Sequence, residues 1–221
     1  IDIKHARRKG IDVMNTPGAN SNAVAEEVIA LILAGYRHVV RADLTTREGK
    51  WEKKKLMGRE LTGTTIGIIG MGNIGQLLVR RLRGFDCRIL TFDPVLSSGK
   101  ANELEVELAS LEQIFAECDI VSLHVPETDT TRGMVGERLL KLARPGLMVV
   151  NCARAGVVDE DAVPAYAEWV LGIRDSLGLN RGCQRNDCIG TGAEPLLADD
   201  APGLCQEAVR AYQHAGWTNG K

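Results

Sequence analysis

Short apolar runs alternate with amphipathic stretches through the middle of the chain. Four β-branched or apolar runs have the length expected of buried strands: residues 64–69, 88–92, 119–124 and 147–150. Three stretches between them carry apolar residues at helical spacing: residues 73–83, 111–118 and 137–143. This alternation predicts an α/β fold with a doubly wound parallel sheet, of Rossmann type, in three layers.

The remaining stretches are less regular. Residues 11–14 and 104–106 are weaker strand candidates, and residues 23–36 predict a strongly apolar helix. That helix is apolar on several sides, so we expect it to be buried between layers or between subunits. Residues 41–60 interleave acids and bases and predict a solvent-exposed helix and loop, with an anion-binding or partner surface around Trp51 as the alternative.

Composition narrows the classes of function. The 221 residues are 44% hydrophobic and 25% charged, with a net charge of −2, which is typical of a globular protein and favours neither nucleic acid nor a membrane surface as partner. No apolar run reaches the roughly 18 residues of a membrane span. The six cysteines predict reduced thiols in a cytoplasmic protein, and we predict no metal site.

A glycine-rich turn joins the first strong strand, residues 64–69, to the helix at 73–83. Gly70, Gly72 and Gly75 have the G-x-G-x-x-G spacing. The first glycine permits a tight turn, the second lets a pyrophosphate approach the backbone, and the third lets the helix pack close to the strand. The helix start also offers unpaired N–H groups and the positive end of its dipole to phosphates.

An aspartate follows the second strand at the position that a dinucleotide site requires. Asp93 lies about 20 residues beyond the first glycine, where a carboxylate accepts hydrogen bonds from the adenosine ribose and repels a 2′-phosphate, so NAD is favoured over NADP. Such a glycine motif alone often marks only a tight turn, but strand, helix and acid together predict a cofactor site. Further candidate cofactor-binding residues lie at the helix start and the other strand ends: Asn73, Ile74, His124, Val125, Pro126, Cys152, Ala153 and Arg154.

With these motifs established, the sequence resembles the D-isomer-specific 2-hydroxyacid dehydrogenases. The matching stretches include N-T-P-G-A-N-S, G-I-I-G-M-G-N-I-G, V-S-L-H-V-P and V-V-N-C-A-R-A-G-V-V-D-E-D-A, in the family's order. The resemblance implies an enzyme that transfers a hydride between NAD and the CH–OH group of a small D-2-hydroxy acid, with 3-phospho-D-glycerate as the first expectation. It also implies a homodimer, because family members usually pair through this domain.

The resemblance implies a division of the chain into domains. Residues 1–14 are expected to be a remnant of the family's substrate domain, and residues 15–221 to be the NAD-binding domain. Within the latter, residues 166–221 form an atypical tail that matches the family poorly. Most of the family's substrate domain is therefore expected to be absent from these 221 residues.

The resemblance also implies three catalytic residues. Arg154 stands at a strand end in N-C-A-R, where the family's arginine binds the substrate carboxylate through its fork of donors. Glu194-Pro195 and His214-Ala215-Gly216 match the fragments that carry the family's glutamate and its histidine base. Two alternatives remain open: an NAD-binding protein that acts like a transcriptional corepressor, and a truncated NAD-binding protein without turnover.

Overall fold

The structure is a computed structural model that describes residues 1–163. Five parallel strands form one sheet in the order β3-β2-β1-β4-β5. Their bounds are β1 Thr65–Ile69, β2 Arg88–Phe92, β3 Glu107–Leu108, β4 Ile120–Leu123 and β5 Met148–Asn151. The winding reverses between β1 and β4, and ligands of such sheets bind beyond the carboxyl ends of the strands at this switch point.

Helices connect the strands and cover both faces of the sheet. Their bounds are α1 Ile3–Arg8, α2 Ser21–Tyr36, α3 Val39–Arg47, α4 Asn73–Leu82, α5 Ser98–Glu103, α6 Leu111–Glu117 and α7 Glu137–Leu140. Short 3₁₀ helices occupy Lys53–Leu56, Arg83–Phe85 and Ala155–Val157. Ser110 caps α6, because its Oγ accepts the N–H of Gln113 at 3.1 Å.

Side chains alternate between two apolar cores along the strands. Ile66 and Ile68 of β1 pack with Ile32 of α2 and Leu78 of α4, whereas Ile69 packs on the opposite face with helices α6 and α7. These β1 residues are fully buried, since a parallel sheet covered on both faces leaves no side of its central strand in water. Two cores separated by one sheet confirm the expected three-layer α/β fold.

Two of the weaker strand predictions are wrong. Residues 11–14 form neither helix nor strand, their side chains are exposed, and no strand within residues 1–163 pairs with them. Residues 104–106 follow α5, where Leu104 ends the helix and Glu105 adopts a left-handed conformation (φ 54°), so the strand begins only at Glu107. Local sequence preference does not fix where an edge strand meets its partner.

The region 39–60 has the exposed helix and loop that its charge pattern predicts: α3 contains no buried residue, and neither does the 3₁₀ helix Lys53–Leu56.

No helix within residues 1–163 is long and apolar enough to cross a membrane. The same residues contain no group of three or more His, Cys, Asp or Glu side chains that could hold a metal ion. Cys87, Cys118 and Cys152 are free thiols, and a cytoplasmic location stays a prediction.

Candidate cofactor-binding site

The turn from β1 into α4 depends on two close backbone approaches. Gly70 has φ 98°, and a Cβ there would lie 2.7 Å from the carbonyl oxygen of His124. At Gly75 a Cβ would collide with the carbonyl oxygen of Gly70, so any side chain would push α4 away from the strand. Both glycines are therefore required by geometry, the first by conformation and contact and the second by helix packing.

The middle glycine of the motif has a different environment. Gly72 is the residue before the first turn of α4, and no side chain caps that helix start. A Cβ at Gly72 would meet nothing within 4 Å. The position is thus not forced by packing, and it leaves open space beside the N–H groups of Asn73 and Ile74, where an anion is favoured by the helix dipole.

Asp93 is fixed against the glycine turn. One carboxylate oxygen accepts the N–H of Met71 at 2.7 Å, and the other accepts the N–H of Val95 at 2.9 Å. The side chain is half-buried and lies beside the turn, with acceptor capacity left on both oxygens. This is the geometry in which a carboxylate faces the ribose of a nucleotide whose phosphates lie over the helix start.

His124 lies where β4 reaches the same turn, but it is shielded. Its backbone N–H donates to the carbonyl of Ile69 at 2.7 Å, and its ring Nε2 is 2.9 Å from Ser122 Oγ. Nδ1 is buried without a hydrogen-bond partner among residues 1–163. Burial lowers the pKa of His124 to about 4, so the ring is neutral at physiological pH. Neighbouring Val125 packs near Gly70, and Pro126 is exposed.

The end of β5 presents the predicted arginine. Asn151 organises this turn, because its Oδ1 accepts the N–H of Ala153 at 3.1 Å and its Nδ2 donates to the carbonyl of Arg154 at 2.9 Å. Arg154 is exposed, and its Nη1 donates to the carbonyl of Ala153 at 2.8 Å. Within residues 1–163 it forms no salt bridge. Cys152 beside it is half-buried, and burial raises the pKa of its thiol to about 12.

The structure therefore collects most of the predicted cofactor residues at one edge of the sheet. The turn at 70–75, Asp93, and residues 124–126 are joined by direct contacts, and residues 152–154 follow the next strand. The predicted catalytic residues Glu194 and His214 lie outside the described residues.

Sequence reasoning missed one contributor at this edge. A Cβ at Gly18 would lie 3.4 Å from Nδ2 of Asn73, so the turn preceding α2 lies against the start of α4. The motif N-T-P-G-A-N-S contains this turn, and its recurrence in the family is a signal that could have suggested the contact. An open groove of about 570 Å³ begins there, but it runs along α4 towards Arg83 and away from the strand ends.

Comparisons with known proteins agree with this geometry. The sequence profile described as "D-isomer specific 2-hydroxyacid dehydrogenase, NAD binding domain" matches residues 29–168. The profile of that family's catalytic domain matches residues 1–48. The two matches overlap, and the division at residue 14 stays a prediction.

Individual relatives cover most of this chain. It is 43% identical to hydroxypyruvate reductase of Thermotoga maritima over 180 residues, 81% of this chain and 57% of that protein. It is 41% identical to D-3-phosphoglycerate dehydrogenase of Archaeoglobus fulgidus over 163 residues, 74% of this chain and 31% of that protein. The chain thus spans less than two thirds of the length of these relatives.

Solved structures have the same architecture. D-lactate dehydrogenase from Escherichia coli superposes with a TM-score of 0.72 at 32% identity, covering 77% of this chain and 54% of that one. D-lactate dehydrogenase from Aquifex aeolicus, determined with NAD and lactic acid, has a TM-score of 0.68 at 31% identity, covering 77% and 52%. The chain therefore belongs to the D-isomer specific 2-hydroxyacid dehydrogenase family and contains its NAD-binding domain.

Proposed function

We propose that this protein is an NAD-dependent oxidoreductase that transfers a hydride between NAD and the CH–OH group of a small D-2-hydroxy acid. The observation that carries the proposal is the glycine turn of residues 70–75 with the Asp93 carboxylate bonded to it at Met71. A turn that leaves space at Gly72 and a carboxylate beside it fit the diphosphate and the adenosine ribose of NAD.

The residues at the carboxyl ends of the strands bind different parts of NAD. The N–H groups at the start of α4 hold the diphosphate, and Asp93 accepts from the ribose hydroxyls. His124 is half-buried and stays neutral, so it shapes the pocket between these groups without adding charge. Nε2 of the ring is bonded to Ser122 Oγ and Nδ1 is buried away from solvent, which agrees with a role in the cofactor pocket and not as the base.

The chemistry of 2-hydroxy acid oxidation assigns the remaining roles. NAD, when bound, supplies the nicotinamide ring that accepts the hydride. We propose that Arg154 holds the substrate carboxylate, since its guanidinium is exposed and unpaired by any carboxylate among residues 1–163. We further propose that His214 takes the hydroxyl proton and that Glu194 orients the imidazole, as the family resemblance implies.

The substrate is proposed at two levels. The family acts on small 2-hydroxy acids, and relatives named hydroxypyruvate reductase and D-3-phosphoglycerate dehydrogenase both match this chain. We propose 3-phospho-D-glycerate as substrate, because the segments W-E-K-K-K-L-M-G and N-C-A-R resemble those of D-3-phosphoglycerate dehydrogenases. Initial rates with phosphoglycerate, D-glycerate and D-lactate would rank these acids, and a preference for D-glycerate or D-lactate would overturn the narrower proposal.

The dinucleotide site predicts the effect of removing the charge at Asp93. Asp93→Asn keeps the side-chain shape but loses the charge-assisted hydrogen bonds to the ribose, so the Kd for NADH should rise about tenfold. Fluorescence titration with NADH measures this change. The same variant should bind NADPH relatively better, because a 2′-phosphate is no longer repelled.

Asp86→Asn is the matched control. Asp86 precedes β2 at the opposite edge of the sheet and has φ 53°, a conformation that asparagine tolerates. This variant should bind NADH as the unaltered protein does. Equal NADH affinities for Asp93→Asn and Asp86→Asn would contradict the role of Asp93 as ribose acceptor.

The catalytic assignment predicts separate effects of two substitutions. Arg154→Lys should raise the KM for the acid by about tenfold or more, because a lysine cannot make the bidentate contact. His214→Ala should lower kcat by at least about a hundredfold, the contribution of a positioned general base. Both variants should keep their NADH affinity. NADH binding without turnover in the unaltered chain would instead favour a binding-only protein.

We also propose that the protein forms a homodimer through the segment after α2. Three of its large apolar side chains are strongly exposed: Val40 (65%), Trp51 (86%) and Met57 (81%). A contiguous exposed apolar patch is typical of an interaction surface, and these three side chains would contribute to one.

The homodimer predicts a molar mass of two chains by light scattering. The double substitution Val40→Glu and Met57→Glu should shift the mass to one chain, since the interface would bury unpaired carboxylates. Val95→Glu is the control, because Val95 is 91% exposed but lies beyond β2. A monomeric unaltered protein, or an unchanged dimer in the double variant, would contradict the proposal.

A further inference from the structure

Two loops at the carboxyl edge of the sheet are joined beside Arg154. The loop after β4 and the segment after β5 share backbone hydrogen bonds from Gly133 N–H to the carbonyl of Gly156 (2.7 Å) and from Val135 N–H to that of Val157 (3.1 Å). The 3₁₀ turn at Ala155–Val157 directly follows Arg154, whose carbonyl accepts the N–H of Val157 at 3.2 Å. The backbone that carries Arg154 is therefore attached to the neighbouring loop.

Glu127 of that neighbouring loop lies against the arginine segment. A Cβ at Gly156 would lie 2.5 to 2.7 Å from the carboxyl atoms of Glu127, so this carboxyl group packs where a side chain of residue 156 would otherwise lie. Gly156 is two residues from Arg154, which limits the separation of their Cα atoms to about 7 Å. Glu127 is thus a carboxylate that stands close enough to compete for the Arg154 guanidinium.

The Glu127 carboxylate already forms an ion pair with Arg132. Nη1 of Arg132 lies 2.8 Å from Oε1 of Glu127, and the Glu127 side chain is only 27% exposed. The loop that carries both residues is ordered by its own hydrogen bonds, including Arg132 N–H to the carbonyl of Thr128 at 2.9 Å. Among residues 1–163, by contrast, the Arg154 guanidinium donates only to the carbonyl of its neighbour Ala153.

We propose that Arg132 is a positioning residue that keeps Arg154 free for the substrate carboxylate by holding Glu127 in an ion pair. The inference rests on the proposed role of Arg154 in substrate binding. Without Arg132, the half-buried Glu127 carboxylate gains its nearest compensation from Arg154, because an uncompensated buried charge is unfavourable. The substrate carboxylate must then displace Glu127 before it binds.

Steady-state kinetics with 3-phospho-D-glycerate and NAD test this role. Arg132→Gln should raise the KM for the acid about two- to fivefold, the size expected of a partly exposed ion pair, with kcat and NADH affinity unchanged. The double variant Glu127→Gln with Arg132→Gln should return the KM to its original value, since the competing charge is gone. A merely structural contribution of Arg132 would not be rescued by this second substitution.

Arg83→Gln is the matched control. Arg83 pairs with Glu105 at 3.1 Å and lies beyond the carboxyl end of α4, at the opposite edge of the sheet. Its loss should leave the KM for the acid unchanged. A raised KM in this control, or a KM in the double variant that stays as high as in Arg132→Gln, would overturn the proposal.

A second measurement does not depend on turnover. Phenylglyoxal modifies free guanidinium groups, and peptide mass spectrometry can follow the rate at Arg154. That rate should fall two- to fivefold in Arg132→Gln and recover in the double variant, as for a partly exposed ion pair. If the modification rate at Arg154 recovers in the double variant but no variant turns over substrate, the pairing of Glu127 with Arg154 is supported and the proposed reaction is refuted. Equal modification rates in all variants would refute the pairing of Glu127 with Arg154.

Discussion

The close approach of α4 to the end of β1 is the constraint on which the site depends. A side chain at Gly75 would collide with the carbonyl of Gly70, and a side chain at Gly70 would collide with the carbonyl of His124. Because both are absent, the helix begins directly beyond the sheet, and its N–H groups point over the switch point between β1 and β4. The same turn offers the N–H of Met71 to Asp93.

Charges are separated along the carboxyl edge of the sheet. Asp93 follows β2 and Arg154 follows β5, three strands apart in the order β2-β1-β4-β5, which corresponds to about 14 Å. His124 lies between them and is neutral because desolvation of its ring lowers its pKa to about 4. An acceptor for a sugar at one end and a cation for a carboxylate at the other are what a dinucleotide and a small acid need when they bind side by side, and this layout supports the proposed reaction.

The sequence predicts the parts of the fold that local pattern determines. The strand at 88–92 is found with the predicted bounds, and β1 begins one residue later than expected, because each is a continuous β-branched or apolar run in the middle of the sheet. The edge strand at Glu107 and helix α5 have short sequences of mixed character and depend on tertiary contacts. The sequence therefore misplaces this strand and does not predict this helix. The glycine motif was readable because its spacing encodes the packing directly.

Contacts between distant segments could not be predicted in this way. The Glu127–Arg132 pair is local, but its placement on Gly156 joins residues that only the neighbouring positions of β4 and β5 bring together. The same holds for Gly18 beside Asn73, which requires α2 to pack against α4. Cofactor residues, which follow strand ends, were thus easier to identify than the groups that position them.

The central claim is that the open space at Gly72 receives the diphosphate, and Gly72→Ala tests it most directly. A Cβ there touches nothing within 4 Å, so the unfolding temperature should be unchanged, yet the Kd for NADH by fluorescence titration should rise about tenfold or more because the methyl group stands where phosphate binds. An unchanged NADH affinity in a normally folded Gly72→Ala protein would contradict the account.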